Sequence, residues 1–392
     1  MTKRRYHFAA LLIIGLWLLS ACGGGSETAT TPPDRGTAET PTVTVSPTEP
    51  PAEPATPEPT PADSDPTATP ETSPDATTVS PLTIDGERVV EIAVPAPGLD
   101  IVYAVAGNAL YRRDGDEEWT KVSEGATEAH ILADPTHPDI IYRGDHSPCA
   151  RGGDPVPFER STDGGATWET IPTAENIRPL VIDPLNTSRL YGESCQLAIS
   201  VDGGETWELS SPVAGFDVTS LGLIATQLYG IFTSEGGTSR VVALDVSTPT
   251  SPVTGPALLE FWGGGVLLAS VDKVIVGEPH GIHISTDNGE TWEFSRAGLE
   301  EVTLSVNALT QPIPEEEQGR GFGIFALAVD PRQPERIFAG TIRGLYRSDD
   351  NGVTWQRVPE VDEVKVRTLA FARGGTLLYA TTDEGALVLT NP

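Results

Sequence analysis

The stretch Ser348-Asp-Asp-Asn-Gly-Val-Thr-Trp355 follows an eight-residue pattern, Ser-x-Asp-x-Gly-x-Thr-Trp, that also occupies residues 161–168, 200–207 and 285–292. A degenerate copy over residues 112–119 keeps only the Asp and the Trp. An Asp side chain can hydrogen-bond the backbone of its own turn, Gly supplies a positive φ, and Trp resumes a strand with a large buried surface. Each octet therefore predicts a turn between two strands. The residues with this structural role are Asp114, Trp119, Ser161, Asp163, Gly165, Trp168, Ser200, Asp202, Gly204, Trp207, Ser285, Asp287, Gly289, Trp292, Ser348, Asp350, Gly352 and Trp355.

Short apolar segments recur between the octets and predict the number of repeats. Seven such segments lie at residues 101–104, 140–142, 189–192, 227–230, 274–277, 336–340 and 377–380. Successive motifs are about 40 to 60 residues apart, which is close to the length of a four-stranded propeller blade. The pattern predicts an all-β protein, a seven-bladed β-propeller of four-stranded antiparallel blades over residues 82–392.

The octets resemble the Asp-box (BNR) repeat of sialidases, sortilin-type receptors, xyloglucanases and photosystem II assembly-factor propellers. The order Asp-Pro, Tyr-Ala-Gly, Leu-Tyr-Arg-Ser-x-Asp-x-Gly is most similar to the last three of these groups. The resemblance implies the propeller fold, and it places the octets on the outer rim, between the third and fourth strands of a blade. It does not determine a function, because this architecture carries hydrolases, receptors and assembly factors.

The two ends of the repeat region are expected to pair. The chain ends in an apolar segment, residues 386–390, which is typical of a third strand and leaves the seventh blade one strand short. Residues 82–85 precede the first inner strand and could supply the missing outer strand. Such a closure would remove an exposed sheet edge.

The first 81 residues are typical of a leader and a tether. Basic residues precede an apolar run and the sequence Leu-Ser-Ala-Cys22, which resembles the lipobox of bacterial lipoproteins. We therefore expect a signal peptide over 1–21 and a lipid on Cys22, although an ordinary secretory leader is an alternative. Residues 26–81 contain 14 Pro and 15 Thr and no aromatic residue, so the segment 22–81 predicts a disordered Pro/Thr-rich linker.

Charge limits the partners that this chain can bind. Its 56 acidic residues against 25 Lys and Arg give a net charge of −31, which disfavours nucleic acid and anionic membrane surfaces. We expect contact with the membrane through the lipid anchor only. The expected ligand is a protein or carbohydrate on the central face of the propeller, and the protein is expected to be a monomer.

No catalytic, cofactor or metal site is predicted from the sequence. The octet aspartates could be calcium ligands, but each octet offers too few oxygens for that ion. His280 and His283 are three apart on an expected strand and should face opposite sides, so they are interpreted as strand-end residues. A sialidase would need three central arginines, and the closest string, Ile177-Arg178-Pro179, follows an octet and is out of place. A glycosidase carboxylate pair is not excluded by counting acids.

Two insertions interrupt the blade spacing, at residues 143–157 and 297–323. Both should emerge on the same face, and the second is a candidate binding loop or a solvated insertion. Its acidic residues are Glu300, Glu301, Glu315, Glu316 and Glu317. In an exported protein, Cys149 and Cys195 in matching loops of adjacent blades predict a disulfide, with two unrelated thiols as the alternative.

These features together predict an exported, lipid-anchored propeller that is a non-catalytic protein- or glycan-binding or assembly module. It would face the extracytoplasmic space, at the cell surface or in the periplasm. Two other functions stay open. One is a sialidase- or xyloglucanase-like glycoside hydrolase, and the other is an assembly factor for a membrane complex, similar to the photosystem II propellers.

Overall fold

The computed structural model describes residues 77–126, 129–146, 155–304 and 323–392. Its strands form seven four-stranded antiparallel blades. In six of them the sheet order follows the chain, whereas the outer strand of the seventh is the first strand of the described chain. The blades are numbered along the chain, and strands within a blade are numbered from the centre outward. No helix in the described ranges is long and apolar enough to span a membrane.

Twenty-eight strands make up the blades. The chain enters through β1 (Thr78–Ile84). Blade one contains β2 (Glu87–Ala93), β3 (Ile101–Ala106), β4 (Ala109–Asp114) and β5 (Thr120–Glu124). Blade two contains β6 (Ala129–Ala133), β7 (Ile141–Asp145), β8 (Pro157–Ser161) and β9 (Glu169–Glu175). Blade three contains β10 (Arg178–Ile182), β11 (Leu190–Ser194), β12 (Gln196–Ser200) and β13 (Glu208–Ser210).

The remaining blades repeat the arrangement. Blade four contains β14 (Phe216–Ile224), β15 (Gln227–Ser234), β16 (Thr238–Asp245) and β17 (Val253–Trp262). Blade five contains β18 (Val266–Ser270), β19 (Lys273–Glu278), β20 (Gly281–Ser285) and β21 (Glu293–Ser295). Blade six contains β22 (Ile324–Asp330), β23 (Gln333–Thr341), β24 (Gly344–Ser348) and β25 (Gln356–Asp362). Blade seven contains β26 (Val366–Ala372), β27 (Leu377–Thr382), β28 (Gly385–Thr390) and, as its outer strand, β1, with a short 3-10 helix at Arg373–Gly375.

The predicted all-β propeller fold is confirmed. All seven apolar segments found in the sequence are second strands of blades: β3, β7, β11, β15, β19, β23 and β27. The inner strand of each blade contacts the inner strand of the next, and β26 contacts β2, so the blades close into a ring.

The two ends of the repeat region close the ring as expected, but the closing strand begins earlier than predicted. Residues 78–82 pair with β28, from Thr78 opposite Thr390 to Leu82 opposite Ala386. Only Thr83 and Ile84 turn back against β2. The closing strand therefore begins four residues before residue 82, in the segment Thr78-Val-Ser-Pro81, which lies at the end of the Pro/Thr-rich region of the sequence. Proline lacks an N–H and is tolerated on an outer strand such as this one.

The hydrophobic core lies between the blades rather than within one of them. Each buried cluster combines apolar side chains from two neighbouring blades. The octet tryptophans Trp168, Trp207, Trp292 and Trp355 each pack in the cleft between their own blade and the preceding one.

The octet turns are held by a repeated set of hydrogen bonds. In blade six, Ser348 Oγ donates to Asp350 Oδ1 (2.7 Å) and accepts from the Gly352 N–H (2.8 Å). The Thr354 N–H and hydroxyl donate to the two oxygens of Asp350, at 2.9 and 2.6 Å. The same four bonds recur in the octets of blades two, three and five.

The glycine at the fifth position of each octet packs its turn against the preceding blade. Gly352 has φ +85°, and a Cβ placed there would overlap Ile284 Cδ1 of blade five. Equivalent obstructions are the side chains of Leu110 for Gly165, Phe158 for Gly204 and Leu258 for Gly289. The octet is therefore a contact between blades as well as a turn within one.

Candidate ligand-binding site at the channel mouth

A central channel runs between the inner strands of the seven blades and encloses about 480 Å³. Because alternate residues of a strand face the same side, two rings of side chains line it. The first, the mouth ring, comprises Glu91, His130, Arg178, Thr219, Phe325 and Arg367. The second, the leucine ring, lies two residues further along the inner strands and comprises Leu132, Leu180, Leu221, Leu327 and Leu369. The channel therefore has a polar entrance, followed by an apolar layer of side chains.

The entrance is rich in cationic side chains although the chain as a whole is acidic. An adjoining entrance cavity of about 210 Å³ shares lining residues with the channel and is lined by Arg178, Lys365 and Arg367, with Glu91 as the carboxylate among its described lining residues. The ammonium of Lys365 lies 3.8 Å from the centre of the Phe325 ring, a cation–π contact. This sign of charge suits a ligand with an anionic group.

Two of the cationic side chains, Arg178 and Arg367, each form an ion pair with a carboxylate. Arg178 is 3.3 Å from Glu193, whose pKa is raised by burial and held down in part by the guanidinium. Arg367 lies 2.6 Å from Asp383. Both arginines carry more N–H donors than one carboxylate uses, so each retains donors for a ligand.

A carboxylate and two imidazoles meet on one side of the entrance. Glu91 on β2, His130 on β6 and His146 at the end of β7 have potential donor atoms that all lie within 4.8 Å of one another. His130 Nδ1 is 2.9 Å from Glu91 Oε1. Partial loss of solvation lowers the pKa of His146, whereas the Glu91 carboxylate acts to raise it. Among the described residues, no other three His, Cys, Asp or Glu side chains bring their potential ligand atoms this close together.

A second polar cluster corrects the expectation for His280 and His283. The hairpin between β19 and β20 brings both imidazoles to the same buried carboxylate, Glu278: His280 Nδ1 lies 2.8 Å from Oε2, and His283 Nε2 lies 3.3 Å from Oε1. The two histidines do not point apart, because His280 lies in the turn and not on the strand. Burial acts to raise the pKa of Glu278, but hydrogen bonds from the two histidines dominate and leave it below the usual value.

The octet aspartates use their oxygens within their own turns. Hydrogen bonds from the Thr side chain and backbone, and from the Ser hydroxyl, lower the pKa of Asp163 and of Asp287 to about 2. The pKa of Asp350 is lowered in the same way. Burial acts to raise the pKa of Asp202, but the bonds from Thr206 and Ser200 outweigh it. In the degenerate copy, Asp114 instead accepts from Arg112 at 2.8 Å, and Trp119 lies under the Arg113 guanidinium.

The acidic insertion is described only in part. Glu300 accepts a hydrogen bond from the Gly298 N–H (2.9 Å), and Glu301 lies 2.8 Å from Arg357 of blade six. Glu315, Glu316 and Glu317 lie outside the described residues, as do Cys22 and Cys149. Cys195 occupies the turn between β11 and β12 with φ 61°, and its pairing with Cys149 stays a prediction.

The sequence pattern does not reveal the mouth ring. In the sequence, Arg178 stands out only as part of the string Ile177-Arg178-Pro179, and Glu91, His130 and Arg367 belong to no recognisable motif. An alignment of the inner strands of the repeats would reveal these residues. Each lies at the same strand position, two residues before a small or apolar residue that also lines the channel. His146 carries no such periodic signal.

Comparison with known proteins agrees with the repeats and the fold. The BNR/Asp-box repeat model matches residues 283–294 and 346–357. A xyloglucanase of Paenibacillus sp is 26% identical over 242 residues, which is 59% of this chain and 20% of that enzyme. Xyloglucanase Xgh74A of Acetivibrio thermocellus is 25% identical over 248 residues, or 51% of this chain and 28% of the enzyme. The chain thus matches less than a third of the length of either xyloglucanase.

Among solved structures, YCF48 bound to D1 peptide is similar in fold. Its TM-score is 0.56 at 16% identity, and the match covers 80% of this chain and 96% of that one.

Proposed function

We propose that this β-propeller of Asp-box repeats is a non-catalytic binding module that holds a protein ligand at the mouth of its central channel. A lipid on Cys22 and the linker up to residue 77 would tether it outside the cytoplasm. The Cys149–Cys195 disulfide would fasten the first insertion to the neighbouring blade.

The observation that carries this proposal is the reversal of charge at the entrance. The chain has a net charge of −31, yet Arg178, Lys365 and Arg367 converge on one cavity of about 210 Å³. A cationic cavity in an acidic surface attracts anionic groups while repelling nucleic acid and acidic surfaces elsewhere. A polypeptide carboxylate, from an acidic side chain or a chain end, fits this entrance, and an apolar residue beside it would reach the leucine ring. The peptide-bound state of the similarly folded YCF48 supports this choice of ligand class.

The test uses random seven-residue peptides presented either with a free C-terminal carboxylate or with an amide. We expect the protein to enrich peptides with a free carboxylate or acidic residues, and to lose them as salt is raised, because ions screen partly exposed charges. Loss of one charge-assisted hydrogen bond costs roughly 1.5–3 kcal/mol, or about tenfold or more in affinity. The variants Arg367→Gln and Lys365→Gln should therefore each weaken binding to an enriched peptide by about that factor.

Arg178 is left intact in this test because its removal would strand the buried Glu193 carboxylate. The matched control is Arg240→Gln, which removes a guanidinium paired at 2.6 Å with Glu260 on the outer strands of blade four. Equal weakening by the control, or enrichment of neutral amidated peptides, would rule out recognition by the mouth ring.

A hydrolase is the second candidate, since the xyloglucanase relatives match 51–59% of the chain. Xyloglucan and a sialoside panel should be incubated with the protein and assayed for new reducing ends or free sialic acid. We expect none above a heat-denatured control. Sustained turnover that co-purifies with the folded protein would replace the binding proposal.

A further inference from the structure

We propose that Glu91, His130 and His146 form a binding site for a divalent transition-metal ion, of the kind represented by Zn²⁺, at the channel mouth. The site combines residues from blades one and two. It does not depend on the proposed peptide ligand, because the ion alone can occupy it.

The first argument is the spacing of the donor atoms. Nitrogen and carboxylate ligands lie about 2.0–2.2 Å from Zn²⁺, so two ligands of one tetrahedral ion are about 3.3 Å apart. His130 Nδ1 and Glu91 Oε1 are 2.9 Å apart, and all three donor groups fall within 4.8 Å. Small side-chain rotations therefore suffice to place one ion between them.

The second argument is a buried nitrogen without a hydrogen bond. His130 Nδ1 is shielded from solvent and has no correctly aligned hydrogen-bond partner among the described residues, although Glu91 Oε1 is close enough in distance. The side chains of Glu91 and His130 are only 10% and 16% exposed. An imidazole nitrogen and a carboxylate oxygen at this separation need a positive charge between them, either a proton or a metal ion, and a bound cation would satisfy both atoms.

The donor types indicate which ion is favoured. Two imidazoles and one carboxylate suit Zn²⁺ and neighbouring transition metals, whereas Ca²⁺ and Mg²⁺ prefer all-oxygen sites. Three protein ligands leave a fourth position open in a tetrahedral ion. Since Glu91 and His146 both line the entrance cavity, that position would face the channel mouth.

The surrounding charges determine the expected affinity of the site for a metal ion. Arg178, Lys365 and Arg367 flank the site, but Glu193 and Asp383 balance the two arginines. The remaining positive field weakens cation binding relative to a fully closed structural zinc site. The same field, increased by the ion, would favour an anionic fourth ligand such as a carboxylate.

The experiment titrates the full-length protein with Co²⁺, followed by its visible d–d absorption, and with Zn²⁺ by calorimetry and by displacement of Co²⁺. We expect one ion per chain with the intense absorption of a tetrahedral site. His146→Ala should weaken Co²⁺ and Zn²⁺ binding by at least about tenfold, because one of three protein ligands is lost. His146 lies on the exposed rim, so this variant should fold, and thermal unfolding without metal should match wild type.

The matched control is His137→Ala, which removes another exposed imidazole, 3.7 Å from the Asp134 carboxylate in a different loop. It should bind both ions as wild type does. Glu91→Gln provides a second variant and should also lose the tetrahedral absorption. Wild-type affinity in His146→Ala, an equal loss in His137→Ala, or no saturable binding by the wild type would each overturn the proposal. These titrations contain no peptide, so their outcome tests the metal site and leaves the proposed peptide binding to its own experiment.

Discussion

Replacing Gly352 with alanine tests whether the octet turns fasten neighbouring blades together. Two costs add at this position. An L-residue at φ +85° is strained by roughly 1–2 kcal/mol. The new Cβ also collides with Ile284 Cδ1 of blade five, and overpacking of this kind costs roughly 1–3 kcal/mol. The substitution should therefore lower the free energy of unfolding by roughly 2–5 kcal/mol.

A control and a rescue separate the two costs. Gly86 has a similar φ of +80°, and a Cβ there meets no described atom within 4 Å, so Gly86→Ala should cost only the backbone term. Ile284→Val removes the obstructing Cδ1 and leaves Ile284 Cγ1 and Ile337 Cδ1 at 3.5 and 3.6 Å from the new Cβ, which is ordinary contact. In the Ile284→Val background, Gly352→Ala should therefore cost about 1–2 kcal/mol, the strain alone.

The assay is equilibrium unfolding in urea for wild type, the three single variants and the double variant, analysed as a double-mutant cycle. A loss of stability in Gly352→Ala no larger than that in Gly86→Ala would contradict a contact between blades at Gly352. The same conclusion would follow if Gly352→Ala lowered the free energy of unfolding equally with Ile and with Val at position 284.

Two further predictions concern ring closure and acid stability. Deleting residues 78–82 should lower the melting temperature by many degrees and promote aggregation, because β28 becomes an exposed edge; a five-residue deletion at 60–64 in the predicted linker should leave it unchanged. For the octets, carboxyls with a depressed folded-state pKa contribute stability that is present above their unfolded pKa and is lost as pH falls through the folded one. Since the folded-state pKa values of Asp163 and Asp287 are about 2, the stability that the octets contribute should disappear between about pH 4 and pH 2. Urea midpoints of wild type and of Asp163→Asn plus Asp287→Asn should therefore differ at pH 6 and converge near pH 2; a constant difference would contradict this.

Local chemistry let the sequence predict most of the fold. An octet such as residues 348–355 encodes its own turn, since Ser348, Asp350 and Thr354 bond within eight residues of chain. The second strands are also recognisable in the sequence, because a strand that is buried on both faces is an uninterrupted run of apolar residues. The closing strand was found only approximately, because its first residues pair with the far end of the chain and carry no apolar pattern of their own.

The site depended on contacts that no local pattern records. Glu91, His130 and His146 are separated by 39 and 16 residues along the chain. Pairing of β6 with β7 brings the two histidines together, and the packing of blade one against blade two brings Glu91 within 4.8 Å of them. Periodicity likewise placed His280 and His283 on opposite faces, whereas the hairpin turn directs both to Glu278. The sequence by itself determined the repeating blade, whose hydrogen bonds are short-range. The tertiary structure alone decided the cationic channel mouth, because ring closure brings seven distant inner strands, and their charges, around one axis.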